Sequence, residues 1–403
     1  MRYPLRFYLA GAAAARAGDE MSGPALMLAG FAMAGSATDA SALLAGITIS
    51  AAVGGPVLGV LLDRAGRPGR LLAGALVLYA AGLGVILVGL GRLPFAVTAL
   101  IAVLTGLLGP ALSGGWTAQL PRVVPGDRLP RANALDAMTF GVASLAGPAL
   151  AGGVAEALAA PTAVVVSAGL IGLALPAAWM LPARPRPGRG PRATSVVGEL
   201  AAGARVIVRR RSLARATLSS ALCCAAQGML TACIVLLGER VLGGAGRGAM
   251  LLSCAAVSAL AANAVLARFP RSIAPDTVIW AGALVQAGAL ALAASGRPAA
   301  LVVAALMIGI GEGPQLAALF AIRHREAPEH LRGQIFTTGA SLKITGFALG
   351  ASVAGPLANW SLPGTLILAA SVSAFAALAY FAVPPPAVNS SEPYLGPMNG
   401  AGP

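Results

Sequence analysis

The chain has 403 residues, of which 57% are hydrophobic and only 10% charged, with a mean hydropathy of +0.81. Soluble domains carry about 25% charged residues, so a chain this poor in charge is not read as one that covers itself against water. The formal net charge of +14 would suit a nucleic-acid binder, but the positions of the charges assign it to membrane topology instead.

In a bilayer every span must satisfy its backbone internally, which favours helices, and a crossing takes about 20 apolar residues. Twelve such stretches follow one another. The first six lie near 7–34, 42–62, 70–90, 94–119, 131–156 and 161–181. The last six lie near 214–237, 248–267, 277–295, 298–322, 333–358 and 362–383. Arg2 and Arg6 followed by "LAGAAAARA" resemble a secretory leader, but the apolar character continues to Gly35, so this stretch reads as a first membrane helix. Cys223, Cys224, Cys233 and Cys254 sit in apolar segments without metal-ligand spacing and read as small buried residues.

With the N-terminus placed in the cytoplasm, 22 of the 28 basic residues fall in inside segments and 4 outside; Arg16 and Lys343 fall within spans. That asymmetry predicts a plasma-membrane (inner-membrane) protein with both termini cytoplasmic. The expected organisation is a six-helix bundle over 1–181, a basic linker over 182–212, a second bundle over 213–383 and a disordered tail over 384–403. The second part of the linker, Ser195 to Arg211, reads as either a basic amphipathic helix on the anionic leaflet or a solvated loop.

A shift of 204 residues lays the first half on the second. "GVLLDRAGRPGR" falls on "NAVLARFPRSIA", and Gly109-Pro110 falls on Gly313-Pro314. Two six-helix halves related by a parallel repeat describe one large transporter architecture. The run Gly59-Val60-Leu61-Leu62-Asp63-Arg64-Ala65-Gly66-Arg67, between the second and third spans, resembles the loop signature of the major facilitator superfamily. It departs at Leu62, usually small, and at Pro68, usually basic. The resemblance covers essentially the whole chain. It implies an all-α fold of twelve transmembrane helices in two bundles, and a cytoplasmic gate at Gly59, Asp63, Arg64, Gly66 and Arg67 that latches an outward-open state. On physical grounds Gly59 permits close helix approach, Gly66 a tight loop, and Asp63 a bond to a helix N-terminus. Gly147-Pro148-Ala149-Leu150-Ala151-Gly152 in the fifth span is similar to an element of the family's drug and metabolite exporters, with Ala151 in place of a glycine. The loop "QLPRVVPGDRLPRANAL" before it also looks like those branches.

Charges inside spans are costly and mark functional positions. Arg16, Asp19 and Glu20 lie within one helical turn or so, so Arg16 can reach either acid, leaving the other able to take and release a proton. Glu312 in the tenth span and Lys343 in the eleventh are further cavity candidates, and the two could pair. Asp136 is read as a bond to the gate; Gln227, Gln315 and Trp116 are weaker cavity candidates. The fourth span lacks the arginine that many proton-coupled exporters of the family carry, and Arg16 is a possible substitute.

No Walker loop, paired metal ligands or nucleophile elbow appears in the sequence, and both histidines, His324 and His330, fall in or beside a cytoplasmic loop. The expectation is therefore not an enzyme and needs no cofactor. It is a secondary transporter driven by the proton gradient, exporting small amphipathic drugs or metabolites. Its partners are the bilayer, the substrate and protons, with no nucleic acid, and the resemblance implies a monomer. An importer or facilitator of a small nutrient, or a membrane sensor, is the alternative.

Overall fold

The computed structural model describes residues 3–34, 37–183, 195–243, 245–270 and 272–382, and all regular structure among them is helical. The first half holds α1 (Leu5–Ala34), α2 (Ala37–Arg64), α3 (Pro68–Gly89), α4 (Phe95–Gly106), α5 (Leu129–Ala157), α6 (Ala160–Leu173) and α7 (Leu175–Trp179). After α8 (Val196–Arg209), the second half holds α9 (Arg211–Leu242), α10 (Ala245–Arg268), α11 (Pro275–Ala293), α12 (Pro298–Glu326), α13 (Arg332–Trp360) and α14 (Leu362–Ala382).

Two spans are broken for a visible reason. The fourth is α4 continued by a π-helical turn, Ala111–Gly115, just after Pro110, which has no N–H to continue the ladder. The sixth is α6 followed by α7, and Pro176 stands in the first turn of α7 where a missing N–H costs nothing. α9 ends at Gly243, whose φ of +76° suits glycine at a helix C-terminus. Ten stretches among the described residues are long and apolar enough to cross a membrane by length and composition. The other two long helices, α1 and α13, carry four charges (Arg6, Arg16, Asp19 and Glu20) and a run of Gly, Thr and Lys respectively. Those polar residues dilute the apolar signal without shortening the helix.

The two six-helix bundles repeat one packing scheme. α1 packs on α5 and α6 as α9 packs on α13 and α14. α2 packs on α4 as α10 packs on α12, and α3 packs on α6 as α11 packs on α14. Each bundle has its own apolar core, around Leu72, Leu76 and Leu83 in the first and Met229, Leu237 and Leu301 in the second. The halves meet through α2 against α13 and α5 against α10, pairs that exchange under the repeat. The outer faces expose large apolar side chains such as Leu78, Val88, Leu173, Val257 and Leu378. So much exposed apolar surface belongs in hydrocarbon. The chain is a multi-pass membrane protein.

One end of the molecule gathers the arginine-rich loops. There Arg64 meets Glu199 at 2.9 Å, Arg215 meets Asp276 at 3.0 Å, and Arg210 donates to the Glu326 carbonyl at 2.6 Å. α8 lies at this end, packed on α2, α9 and α13. Linker residues 184–194 and the tail from 383 onward lie outside the described residues.

Candidate functional site

Between the halves lies a cavity of about 630 Å³. α1 and α5 contribute Glu20, Phe140, Gly141 and Pro148; α9, α12 and α13 contribute Gln227, Glu312 and Phe347. Its wall runs along α9–α12 to Leu237, Leu251, Ala293 and Leu301, at the end remote from the arginine-rich loops. Most of the lining is aliphatic or aromatic, so the few polar groups stand out.

Arg16 does not pair with Asp19 or Glu20. It reaches across to α5 and holds Asp136 at 3.0 Å, with both side chains almost wholly buried (2% and 0% exposed). Thr117 donates to the Asp136 carboxylate at 2.8 Å and lies 2.8 Å from the guanidinium; Thr139 contacts the guanidinium as well. The guanidinium also stacks 3.7 Å from the centre of the Phe140 ring. Asp136, expected to serve the gate, is thus the counter-ion of Arg16. An acid on a packed neighbour can face both Nη groups of a buried guanidinium, better geometry than one three residues along its own helix offers.

That pairing leaves Asp19 and Glu20 without an arginine. Asp19 accepts a hydrogen bond from Tyr79 on α3 at 2.8 Å, and Tyr79 and Ser22 are 3.1 Å apart. Glu20 points into the cavity, exposed there and within electrostatic reach of Glu312 and Lys343. Gly147 explains how α5 comes so near: a Cβ at that position would fall 2.7 Å from the Glu20 Cβ and 2.9 Å from the Met21 amide nitrogen. Pro148, next along, lines the cavity. A Cβ added at Gly152 would meet open space, so of these two glycines only Gly147 is needed for the close approach to α1.

On the opposite wall, Glu312 and Lys343 share a recess with Ser220, Cys224 and Gln227, without closing to an ion pair. Gln315 lines the same recess and is held in place, accepting from Gln286 at 3.1 Å and donating to the Ile279 carbonyl at 3.0 Å. Trp116 is fully buried against Tyr8, away from the cavity lining.

At the arginine-rich end the halves are closed. The Asp63 carboxylate accepts from the Gly333 and Gln334 amides, each at 2.8 Å, and so caps α13. Gly59 and Gly55 let α2 lie directly on α13, with no room for a Cβ against Gln334, Thr337 or Ser341. Ser341 donates to the Ala51 carbonyl at 2.7 Å. Arg64 pairs with Glu199 of α8, and Gln334 donates to the Leu200 carbonyl at 3.0 Å, so α8 touches both halves. Gly66 lies in the three-residue connection between α2 and α3, without positive φ and without a neighbour that a Cβ would meet, and Arg67 beside it is exposed.

Below the cavity, three aromatic rings from both halves stack in series. Phe140 of α5 lies 5.8 Å from Phe320 of α12, which lies 6.0 Å from Phe336 of α13. Beyond them Arg323 and His324 are buried in the last turns of α12, which runs four residues past the apolar stretch. The sequence sets Arg323 among the inside basic residues and His324 in or beside a cytoplasmic loop, and it does not show the plug. Three scattered phenylalanines carry no signal of their own.

The Major Facilitator Superfamily model matches residues 8–337. The chain is 30% identical over 358 residues to an uncharacterized MFS-type transporter, y4rN, of Sinorhizobium fredii, covering 86% of this chain and 88% of that protein. Among solved structures it is similar to the human organic anion transporter MFSD10, with a TM-score of 0.77, 15% identity, and 93% and 98% of the two chains covered. It is similar to a bacterial homologue of the iron transporter ferroportin in an outward-facing state, with a TM-score of 0.77, 15% identity and 95% and 99% covered. It also resembles the transporter FucP in an outward conformation, with a TM-score of 0.70, 16% identity and 94% and 98% covered. At these identities the solved structures speak for the fold.

Proposed function

This chain belongs to the major facilitator superfamily of membrane transporters, and from that premise we propose that it exports small amphipathic compounds by alternating access, in exchange for protons. The observation that carries the reading is the cavity: Glu20 and Glu312, from opposite halves, face one largely apolar chamber. An apolar wall suits an amphipathic body, and a pair of carboxylates in a poorly hydrated chamber suits proton exchange. In this reading the arginine-rich end is cytoplasmic, the protein sits in the plasma membrane as a monomer, and the conformation at hand is outward-facing. The two bundles, joined by the basic linker, rock about the fixed chamber.

The test is efflux of fluorescent amphipathic dyes from energised cells lacking their own exporters. Wild type should lower dye retention, a protonophore should abolish that effect, and Glu20→Gln should remove the protonophore-sensitive part. Efflux that ignores both the protonophore and Glu20→Gln would sink proton coupling through this residue. Dye accumulation above control cells would instead establish import.

A further inference from the structure

Arg323 is 2% exposed, yet its Nε and Nη2 have no hydrogen-bond partner and no carboxylate among the described residues pairs with it. His324 beside it is buried with both ring nitrogens unpartnered. Phe336 offers each of them a ring, 5.8 Å from the Arg323 guanidinium carbon and 4.4 Å from the imidazole. Gly339 on α13 leaves the space that the guanidinium fills. Arg332 adds to the positive field around His324. A buried cation without an anion is strongly disfavoured, and a ring face compensates only part of that. Arg16, stacked on Phe140 at the other end of the ring series, has a carboxylate and hydroxyls on its two Nη groups, although its Nε too lacks a hydrogen-bond partner.

The position of this orphan pair is as informative as its chemistry. The face of α12 that lines the cavity runs through Ile308, Glu312 and Leu316. One turn further it presents Phe320, and one turn beyond that Arg323 and His324. The pair therefore sits about 16 Å below Glu312 along the same helical face, behind the aromatic plug. Phe140 belongs to one half and Phe320 to the other, so separating the halves at the arginine-rich end would part this ring contact.

We propose that Arg323 and His324 are an anion-loading site on the arginine-rich side of the plug, and that the transported molecule is an amphipathic organic anion. This rests on the export reading above and narrows its substrate class. Loading is favoured by two donors that lack partners in the closed state. Release is favoured because the chamber sets Glu20 and Glu312 against the single ammonium of Lys343, a net negative surrounding. The charged carboxylates repel the anion outward; protons taken from that side then neutralise them, and these protons leave at the arginine-rich end once the halves have rocked, which restores the charged carboxylates.

The experiment uses the full chain in inside-out vesicles and two matched dyes, anionic 1-anilinonaphthalene-8-sulfonate and uncharged N-phenyl-1-naphthylamine. Wild type should accumulate the sulfonate in preference to the neutral dye. Arg323→Gln should cut sulfonate transport about tenfold or more, the scale of one charge-assisted hydrogen bond, and leave the neutral dye within about twofold. Arg323→Lys should restore part of the sulfonate rate. Naphthalene sulfonate added outside such vesicles should compete with neutral-dye transport in wild type and not in Arg323→Gln. Retained neutral-dye transport shows that the variant is folded. Equal loss of both dyes with Arg323→Lys no better, or no preference for the sulfonate by wild type that moves the neutral dye, would overturn the anion site while export stands. Movement of neither dye by wild type would overturn the amphipathic-export reading itself.

Discussion

Replacing Asp63 by Asn should open the arginine-rich end, and the size of the effect follows from two hydrogen bonds. Asp63 is 7% exposed and accepts from the Gly333 and Gln334 amides at 2.8 Å each. Asn keeps one oxygen acceptor and turns an amino group toward the other amide. One charge-assisted bond is lost, worth about 1.5–3 kcal/mol, together with the attraction of a charge to the α13 N-terminus, about 0.3–1 kcal/mol. The closed state should lose about 2–4 kcal/mol, a shift of ~30- to 700-fold in the open-to-closed ratio at 1.4 kcal/mol per tenfold. The assay is alkylation of a cysteine placed at Ala134, which is fully buried in the apolar cluster that joins the halves at this end, in a background with the four native cysteines replaced. Its labelling rate should rise by that factor in Asp63→Asn. A rate within about threefold of the parent would refute the capping argument. An equal rise at a cysteine buried inside one bundle, such as position 73, would show unfolding instead of opening.

The Arg64–Glu199 pair should matter far less. Its side chains are 38% and 24% exposed, and pairs of that kind contribute about 0–1 kcal/mol, so Glu199→Gln should raise the same labelling rate by no more than about fivefold. Arg16→Gln and Asp136→Asn should each cost about 3–5 kcal/mol of bundle stability, because each strands a buried charge. The double variant should cost less than the sum in thermal unfolding in detergent, and strict additivity would show that the two groups do not act as a pair.

The membrane-crossing architecture was legible because length and hydropathy alone define a span, and because the basic residues mark one end. The break after Pro110 and the turn at Pro176 were not read, since a proline in a span kinks or breaks it according to its neighbours. Asp63 and Gly59 carried a recognisable spacing. Their contacts on α13, some 270 residues away, belong to the fold and not to the motif. Arg16 was misassigned for the same reason: local helix geometry offers Asp19 and Glu20, while the better partner, Asp136, lies 120 residues along the chain. The burial of Arg323 and His324 carries no sequence signal because they follow the last apolar residues of a span; packing against Phe336 and Gly339 belongs to the fold.

Among the contacts that join α1 and α5 are the Arg16–Asp136 pair and the close approach of Gly147 to Glu20. The two positions on α5 are eleven residues, or about 16 Å, apart. Two separated pins remove the hinge that a single contact would leave, so the helices behave as one stiff plate. Glu20 and Phe140 are both mounted on that plate. A charge change at the first therefore reaches the second as displacement of a solid body, with no relay of side chains between them, and substitutions that loosen either pin should weaken that transmission before they touch the cavity or the plug.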